Sequence, residues 1–283
     1  MQIIDGKALA QRIRTQIKEE VDTLAKEREI VPGLAVILVG DDPASHAYVK
    51  MKAKACKEVG FYSIVHEMPD TISQEEIIAT IEMMNANPRI DGILVQLPLP
   101  EHIDTTRILE VIDPAKDVDG FHPYNVGRLV TNLDSFVPCT PLGVMKMFEA
   151  YGIDLEGKDV CVVGASNIVG KPMAALLLNA NATVTVTHIY TKDLAEHTRN
   201  ADIVIVGVGV PGLIKGDMVK EGAVVIDIGI NRLDDGRIVG DVEYESVAPK
   251  CSYITPVPGG VGPMTIAMLL ANTLKAAKAR AAQ

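Results

Sequence analysis

The sequence predicts an α/β protein of two domains, on three observations. Its 283 residues approach the limit for a single core. Apolar runs of strand length alternate with stretches of helical periodicity in two separate series. Between the two series, from 113 to 141, the regular pattern fades into DPAKDVDGFHPYNVGRL and PCTP. The expected division is 1–138 plus 264–283 for one domain and 139–263 for the other, flanking a cleft, with the last helix returning to the first domain.

The first series opens with Leu9, Ile13, Ile17, Val21 and Leu24 among charged residues, the spacing of an amphipathic helix. GLAVILVG (33–40) is a continuous apolar run ending in glycine, the form of a parallel strand buried on both faces. A helix follows over 43–59, stopped by Gly60. Then come a strand at 63–68 and a helix opened by the capping box Ser73-x-x-Glu76. A third strand, 92–97, runs into QLPLP. The second series has strands at 160–163, 183–187, 203–206 and 224–228, with helices between the first three. It closes with YITPVPGGVGPM and a helix from Met264 to about Lys278. Strands alternating with helices give right-handed crossovers and parallel sheets.

Composition narrows the function classes. A net charge of −10 repels phosphate backbones, so no nucleic-acid partner is expected. Cys56, Cys139, Cys161 and Cys251 form no CxxC pair and the histidines are scattered, which gives neither a metal site nor a disulfide framework and suits the cytoplasm. The longest apolar stretches, 203–214 and 264–274, are short or broken by Gly and Pro, so no membrane partner is expected.

The segment DVCVVGASNIVGKP (159–172) carries the cofactor signal. An apolar strand ends at Gly164, a polar turn follows and a helix begins near Val169, making the second domain Rossmann-like. Such a turn aims backbone N–H groups and a helix N-terminus at an anionic ligand. Ser166 stands where the common dinucleotide motif has its second glycine, and Gly170 comes one residue late. A tight turn without a ligand is the competing reading. Sites for NAD place a carboxylate about twenty residues on, to hold the ribose hydroxyls. Here His188-Ile189-Tyr190-Thr191-Lys192 holds no acid before Asp193, and Lys171 or Lys192 can supply positive charge. NADP is therefore favoured over NAD.

Four segments offer catalytic side chains, each with a plain structural alternative. Tyr48 and Lys52 lie four apart on a helix and share a face, so a ring to stack on a heterocycle sits beside an amine to carry a proton. An ordinary solvated lysine is the alternative. Gln96 ends an apolar strand, where capping and ligand contact are both open. Asp117 and Asp119 in KDVDG are turn residues or acceptors of paired N–H donors. PVPGGVGP (256–263) is a turn into a helix or a place where backbone approaches a ligand.

Taken together, SHAYVKMK, VQLPLP, KDVDGFHPYNVGRL, PCTP, VVGASNIVGKP, GAVVIDIGINR, GDV and ITPVPGGVGPMT resemble the bifunctional methylenetetrahydrofolate dehydrogenase/cyclohydrolases, in order and from about residue 40 to 270. The resemblance implies oxidation of 5,10-methylenetetrahydrofolate with NADP, then hydrolysis of the methenyl product to 10-formyltetrahydrofolate. It implies Lys52 as the central catalytic group, Gln96 as its hydrogen-bond partner, Tyr48 stacking on the folate and Asp119 anchoring the pterin. Pro258, Gly259 and Gly260 would also contact the substrate. Cofactor contacts would fall on Gly164, Ala165, Ser166, Ile189 and Ile230. Members of the family often carry Ser or Arg at the position of Ile189, and some carry Arg at that of Ala165. Neither side chain here can bind a 2′-phosphate, which leaves NAD open. A homodimer is implied as well. A different two-domain dehydrogenase, or a non-catalytic folate-binding regulator, would not need Lys52, Gln96 and Asp119 together.

Overall fold

The structure, a computed structural model, describes residues 1–282. The first part of the chain forms β1 (Gln2–Ile3), α1 (Gly6–Arg28), β2 (Gly33–Val39), α2 (Pro43–Val59), β3 (Tyr62–Met68), α3 (Gln74–Ala86), β4 (Gly92–Val95), α4 (Thr105–Val111) and α5 (Pro123–Val130). It continues with α6 (Cys139–Tyr151), β5 (Asp159–Val163), α7 (Gly170–Asn179), β6 (Thr183–Thr187), α8 (Leu194–Asn200), β7 (Ile203–Val206) and β8 (Val224–Asp227). The rest is β9 (Asn231–Arg232), β10 (Ile238–Val239), α9 (Tyr244–Val247), β11 (Tyr253–Ile254) and α10 (Val261–Ala281). Two compact units result. One comprises Arg12–Arg128, Asp134–Cys139 and Ile266–Gln283, the other Met1–Gln11, Leu129–Leu133 and Thr140–Thr265.

The first of these holds a parallel three-stranded sheet in the order β3-β2-β4. Every residue of central β2 is buried, as its unbroken apolar run requires. Ala35, Ile37 and Val39 pack with Ile77, Ile81, Ile90 and Ile93. Asp42 caps α2 by accepting the Ser45 N–H at 2.8 Å, and Gly60, at φ 83°, ends it. The capping box of α3 is present, with Ser73 and Glu76 each accepting the other's backbone N–H. At the far end of α10, Arg280 Nε and Nη2 donate to the buried Asp91 at 2.6 and 3.1 Å, and Asp91 also accepts the Gly33 N–H at 2.8 Å. The last helix is thereby tied to the strand that centres this sheet.

The second unit holds a six-stranded parallel sheet ordered β1-β11-β8-β7-β5-β6. From β5 the chain steps outward to β6, then returns to the other side of β5 as β7. Between β5 and β7 lies the switch point at which open α/β sheets bind ligands. Cys161, Val163, Val204, Val206, Val225 and Ile254 line its core.

Two features depart from the sequence expectation. β1 pairs with β11 (Gln2 with Tyr253, Ile3 with Ile254), and Met1–Gln11 group with the six-stranded unit, as do Leu129–Leu133, although both stretches were expected in the other domain. Two residues are too few for any periodicity to reveal a strand. The segment 113–141 is also less irregular than expected, since it holds α5 and the start of α6. α5 spans only eight residues, contains Gly127 and follows the Asp- and Gly-rich DVDG, a composition that reads as loop.

Candidate active site

Helix α2 sets Tyr48, Lys52 and Cys56 four residues apart, on one face. Lys52 is only 8% exposed, and a buried ammonium needs an acceptor. Gln96 provides it: Lys52 Nζ donates to Gln96 Oε1 at 2.9 Å. Gln96 stands just past β4, where its N–H still donates to the Ile37 carbonyl at 2.9 Å. Its Nε2 donates to the Leu97 carbonyl at 2.8 Å, and that second bond keeps the amide oxygen turned toward the amine. Tyr48 is half-buried, and loss of hydration raises its phenol pKa, so it remains a neutral hydroxyl.

The KDVDG loop is fixed from several sides. Lys116 donates to the Met84, Asn85 and Asn87 carbonyls at the end of α3. Asp117, fully buried, accepts the Phe121 and His122 N–H groups and the Asn125 amide. Asp117 is therefore the carboxylate that receives paired N–H donors. Asp119 has a different setting. Burial raises its carboxyl pKa, against the pull of the Lys52 ammonium and the Cys139 thiol. A carboxyl, an amine and an amide thus belong to one cluster within the three-stranded unit, and Asp119 is partly exposed.

Two residues of this cluster went unnoticed in the sequence. Asn272, buried on α10, donates to the carbonyls of Val118 (2.8 Å) and Val137 (3.0 Å), holding the backbone beside Asp119. A lone amide in the apolar run AMLLANTLKAA was the available signal. Cys139 donates from Sγ to the Val118 carbonyl at 3.4 Å. Burial, then the negative charge of Asp119, lifts its pKa well above the usual thiol range, and burial pushes Cys56 up to about 11. Both remain thiols near neutrality, which excludes thiolate nucleophiles at this cluster.

The remaining candidates lie in the six-stranded unit. Gly164 ends β5 at φ 119°, and a Cβ on Gly170 would lie 2.0 Å from the Gly164 carbonyl oxygen. The turn is thus cut to backbone dimensions at the carboxyl end of a parallel strand, a cradle that fits a pyrophosphate. Ser166 Oγ accepts the N–H groups of Val169 (3.1 Å) and Gly170 (3.4 Å) at the mouth of α7. Ala165 is half-buried beside it. Ile189, just past β6, is 88% exposed, and Ile230, just past β8, is 48% exposed. Asp193 caps α8 through the Glu196 N–H at 3.1 Å, which occupies the first acid beyond β6. The Gly259 carbonyl accepts the Lys7 N–H at 2.9 Å, and Gly260 is buried where a Cβ would lie 2.5 Å from the Pro256 carbonyl oxygen, so packing already accounts for the small residue at Gly260. Pro258 is exposed beside them. Among the described residues no group of His, Cys, Asp or Glu is arranged to hold a metal, and no helix is long and apolar enough to cross a membrane.

Two family domains match this chain: the tetrahydrofolate dehydrogenase/cyclohydrolase catalytic domain over 4–119 and the NAD(P)-binding domain over 138–281. The chain belongs to the tetrahydrofolate dehydrogenase/cyclohydrolase family. The bifunctional protein FolD of a Sulfurovum species is 80% identical over 281 residues, 99% of this chain and 100% of the relative. The crystal structure of the bifunctional FolD dehydrogenase/cyclohydrolase of Campylobacter jejuni has a TM-score of 0.98 at 59% identity, covering 99% of each chain. That of the Trypanosoma brucei enzyme, complexed with NADP cofactor and an inhibitor, has a TM-score of 0.95 at 41% identity, covering 98% of this chain and 97% of that one. Tyr48, Lys52, Gln96 and Asp119 lie within the catalytic match; the dinucleotide candidates Gly164, Ala165, Ser166, Ile189 and Ile230, and the substrate candidates Pro258, Gly259 and Gly260, lie within the NAD(P)-binding match.

Proposed function

We propose that this chain oxidises 5,10-methylenetetrahydrofolate to the 5,10-methenyl cation with a nicotinamide dinucleotide, then hydrolyses that cation to 10-formyltetrahydrofolate. The observation that carries the proposal is the buried Lys52–Gln96 pair with Asp119 in electrostatic reach, in a chain of this family. When bound, the dinucleotide supplies a ring that accepts the hydride. Losing a hydride from the methylene carbon needs alignment rather than a strong base. Tyr48 stacks on the folate and Asp119 accepts the pterin's N–H donors, and together they hold that carbon in place. Hydrolysis does need proton transfer. Water adds to the methenyl carbon and gives one proton to Lys52 Nζ, and the carbon–N5 bond breaks as the added hydroxyl becomes the formyl C=O and its proton passes to N5. Gln96 keeps Nζ aimed throughout.

For the dinucleotide, Gly164, Ala165 and Ser166 take the pyrophosphate, Ile189 lies at the adenosine ribose and Ile230 at the nicotinamide. With Asp193 committed to capping α8, no carboxylate remains just past β6 to repel a 2′-phosphate, which favours NADP. The protein is cytoplasmic, consistent with four free, buried cysteines. It is a homodimer, and the exposed edge strand β6, whose Val186 is 38% exposed, is its candidate contact. The decisive assay follows methenyl absorbance after adding methylenetetrahydrofolate with NADP and, separately, with NAD. Appearance and then decay of that absorbance, faster with NADP, is expected. No methenyl signal with either dinucleotide would refute the reading.

A further inference from the structure

Past the switch point, the loops following β7 and β8 are held by a pair of buried carboxyls outside the catalytic cluster. Asp241 is fully buried. Its Oδ2 accepts the N–H groups of Val208 (2.6 Å) and Gly209 (3.0 Å) in the loop after β7. Its Oδ1 accepts from Asn231 Nδ2 (2.8 Å), beyond β8. Asp227, the last residue of β8, holds Asp241 in turn. Asp227 Oδ1 accepts the N–H groups of Asp241 (3.0 Å) and Gly229 (2.9 Å), and Oδ2 accepts that of Val242 (2.9 Å). The fit leaves no slack, because a Cβ on Gly240 would lie 1.8 Å from Asp227 Oδ2.

The loops so held lie where a dinucleotide must pass. A Cβ on Gly164 would fall 2.9 Å from the Gly207 carbonyl oxygen and 3.1 Å from Val208 Cγ1, so the loop after β7 borders the pyrophosphate turn. In a doubly wound sheet the half containing the glycine turn and the next strand holds the adenosine, and strands across the switch point hold the other nucleotide. Here those strands are β7 and β8. Ile230 lies between two residues of the network, Gly229 and Asn231.

We propose that Asp241 is a positioning residue for the nicotinamide half of the dinucleotide, shaping the 207–210 and 229–231 loops through three hydrogen bonds. It touches backbone and Asn231 rather than the ligand. The inference rests on the dinucleotide-binding part of the reading above.

The test is calorimetric titration of the full chain with NADP and with adenosine 2′,5′-bisphosphate, which lacks the nicotinamide half. Asp241→Ala should weaken NADP at least tenfold while leaving the bisphosphate within twofold. Asp241→Asn should recover most of the loss, because its oxygen can still accept the Val208 and Gly209 N–H groups and the Asn231 amide can turn to offer its own oxygen. Equal weakening of both ligands, or no change in either, would overturn the proposal. Should Asp241→Ala lack a folding transition, Asn231→Ala serves instead. It should weaken NADP about threefold and spare the bisphosphate, and unchanged NADP affinity would count against the proposal. Wild-type protein that binds NADP but yields no methenyl product would overturn the functional reading and still support this inference if the variants split the two ligands.

Discussion

Lys52 Nζ lies 2.9 Å from Gln96 Oε1, and Gln96 cannot readily turn its amide because Nε2 is already bonded to the Leu97 carbonyl. The amine is therefore presented in one direction from a buried position. Lys52→Met keeps the length and apolar stem of the side chain but removes the proton carrier. Cyclohydrolase turnover should fall at least a thousandfold, with folate binding still measurable by titration. Gln96→Ala frees the amine without removing it, so hydrolysis should fall about ten- to hundredfold, within the range attributed to general acid–base groups. A Lys52→Met protein that hydrolyses methenyl substrate at the normal rate would refute the assigned role.

Much of this was legible in the sequence, for identifiable reasons. The all-apolar run of β2, the Gly60 stop and the Ser73 capping box are local signals, and they placed the strand and helices around Lys52. Spacing alone placed Tyr48 and Lys52 on one face. What spacing does not encode is which distant side chain answers a buried amine. Gln96 and Lys52 are 44 residues apart, and only the motif resemblance joined them before the structure did. Asn272 and Asp241 act through contacts 154 and 33 residues away, respectively, and look like single polar residues in ordinary surroundings. β1 was invisible because a two-residue strand has no pattern.

Two buried carboxyls give the stability a pH signature. Burial pushes Asp117 up to about 6 and Asp227 up to about 6, against an ordinary value of 3.8. Between about pH 4 and pH 6 the folded chain keeps protons on these groups that the unfolded chain releases. Their contribution to stability therefore falls as pH rises through that window and is level above it. At about 1.4 kcal/mol per pH unit, each contributes a change on the order of 3 kcal/mol. Calorimetric unfolding from pH 4 to 8 should show less loss of stability on the acid side than in Asp227→Asn, whose side chain does not titrate. Identical pH profiles for the two proteins would argue against the shift.

The Arg280–Asp91 pair anchors the end of α10 to the three-stranded sheet. Removing the guanidinium leaves the buried Asp91 carboxylate with the Gly33 N–H as its remaining partner. Breaking a fully buried pair costs several kcal/mol. Arg280 is partly solvated, so Arg280→Met should destabilise by about 2 kcal/mol. Urea unfolding of the full chain measures this. A change below about 0.5 kcal/mol would mean that α10 is held by its apolar face alone.

The two activities should be separable at the glycine turn. Adding one methyl at Gly170 puts a carbon where the Gly164 carbonyl oxygen already stands, so either the turn after β5 or the first residue of α7 must move. That displacement alters the backbone N–H groups offered to a pyrophosphate. The Lys52–Gln96 bond is made entirely within the three-stranded unit, on elements that do not include this turn. Hydrolysis of supplied methenyltetrahydrofolate uses no dinucleotide, whereas oxidation of the methylene compound does. In Gly170→Ala the dehydrogenase kcat/KM should fall at least a hundredfold further than that of the cyclohydrolase, with most of the loss in KM for NADP. Parallel losses in both reactions would indicate that the substitution acts on folding rather than on the dinucleotide site.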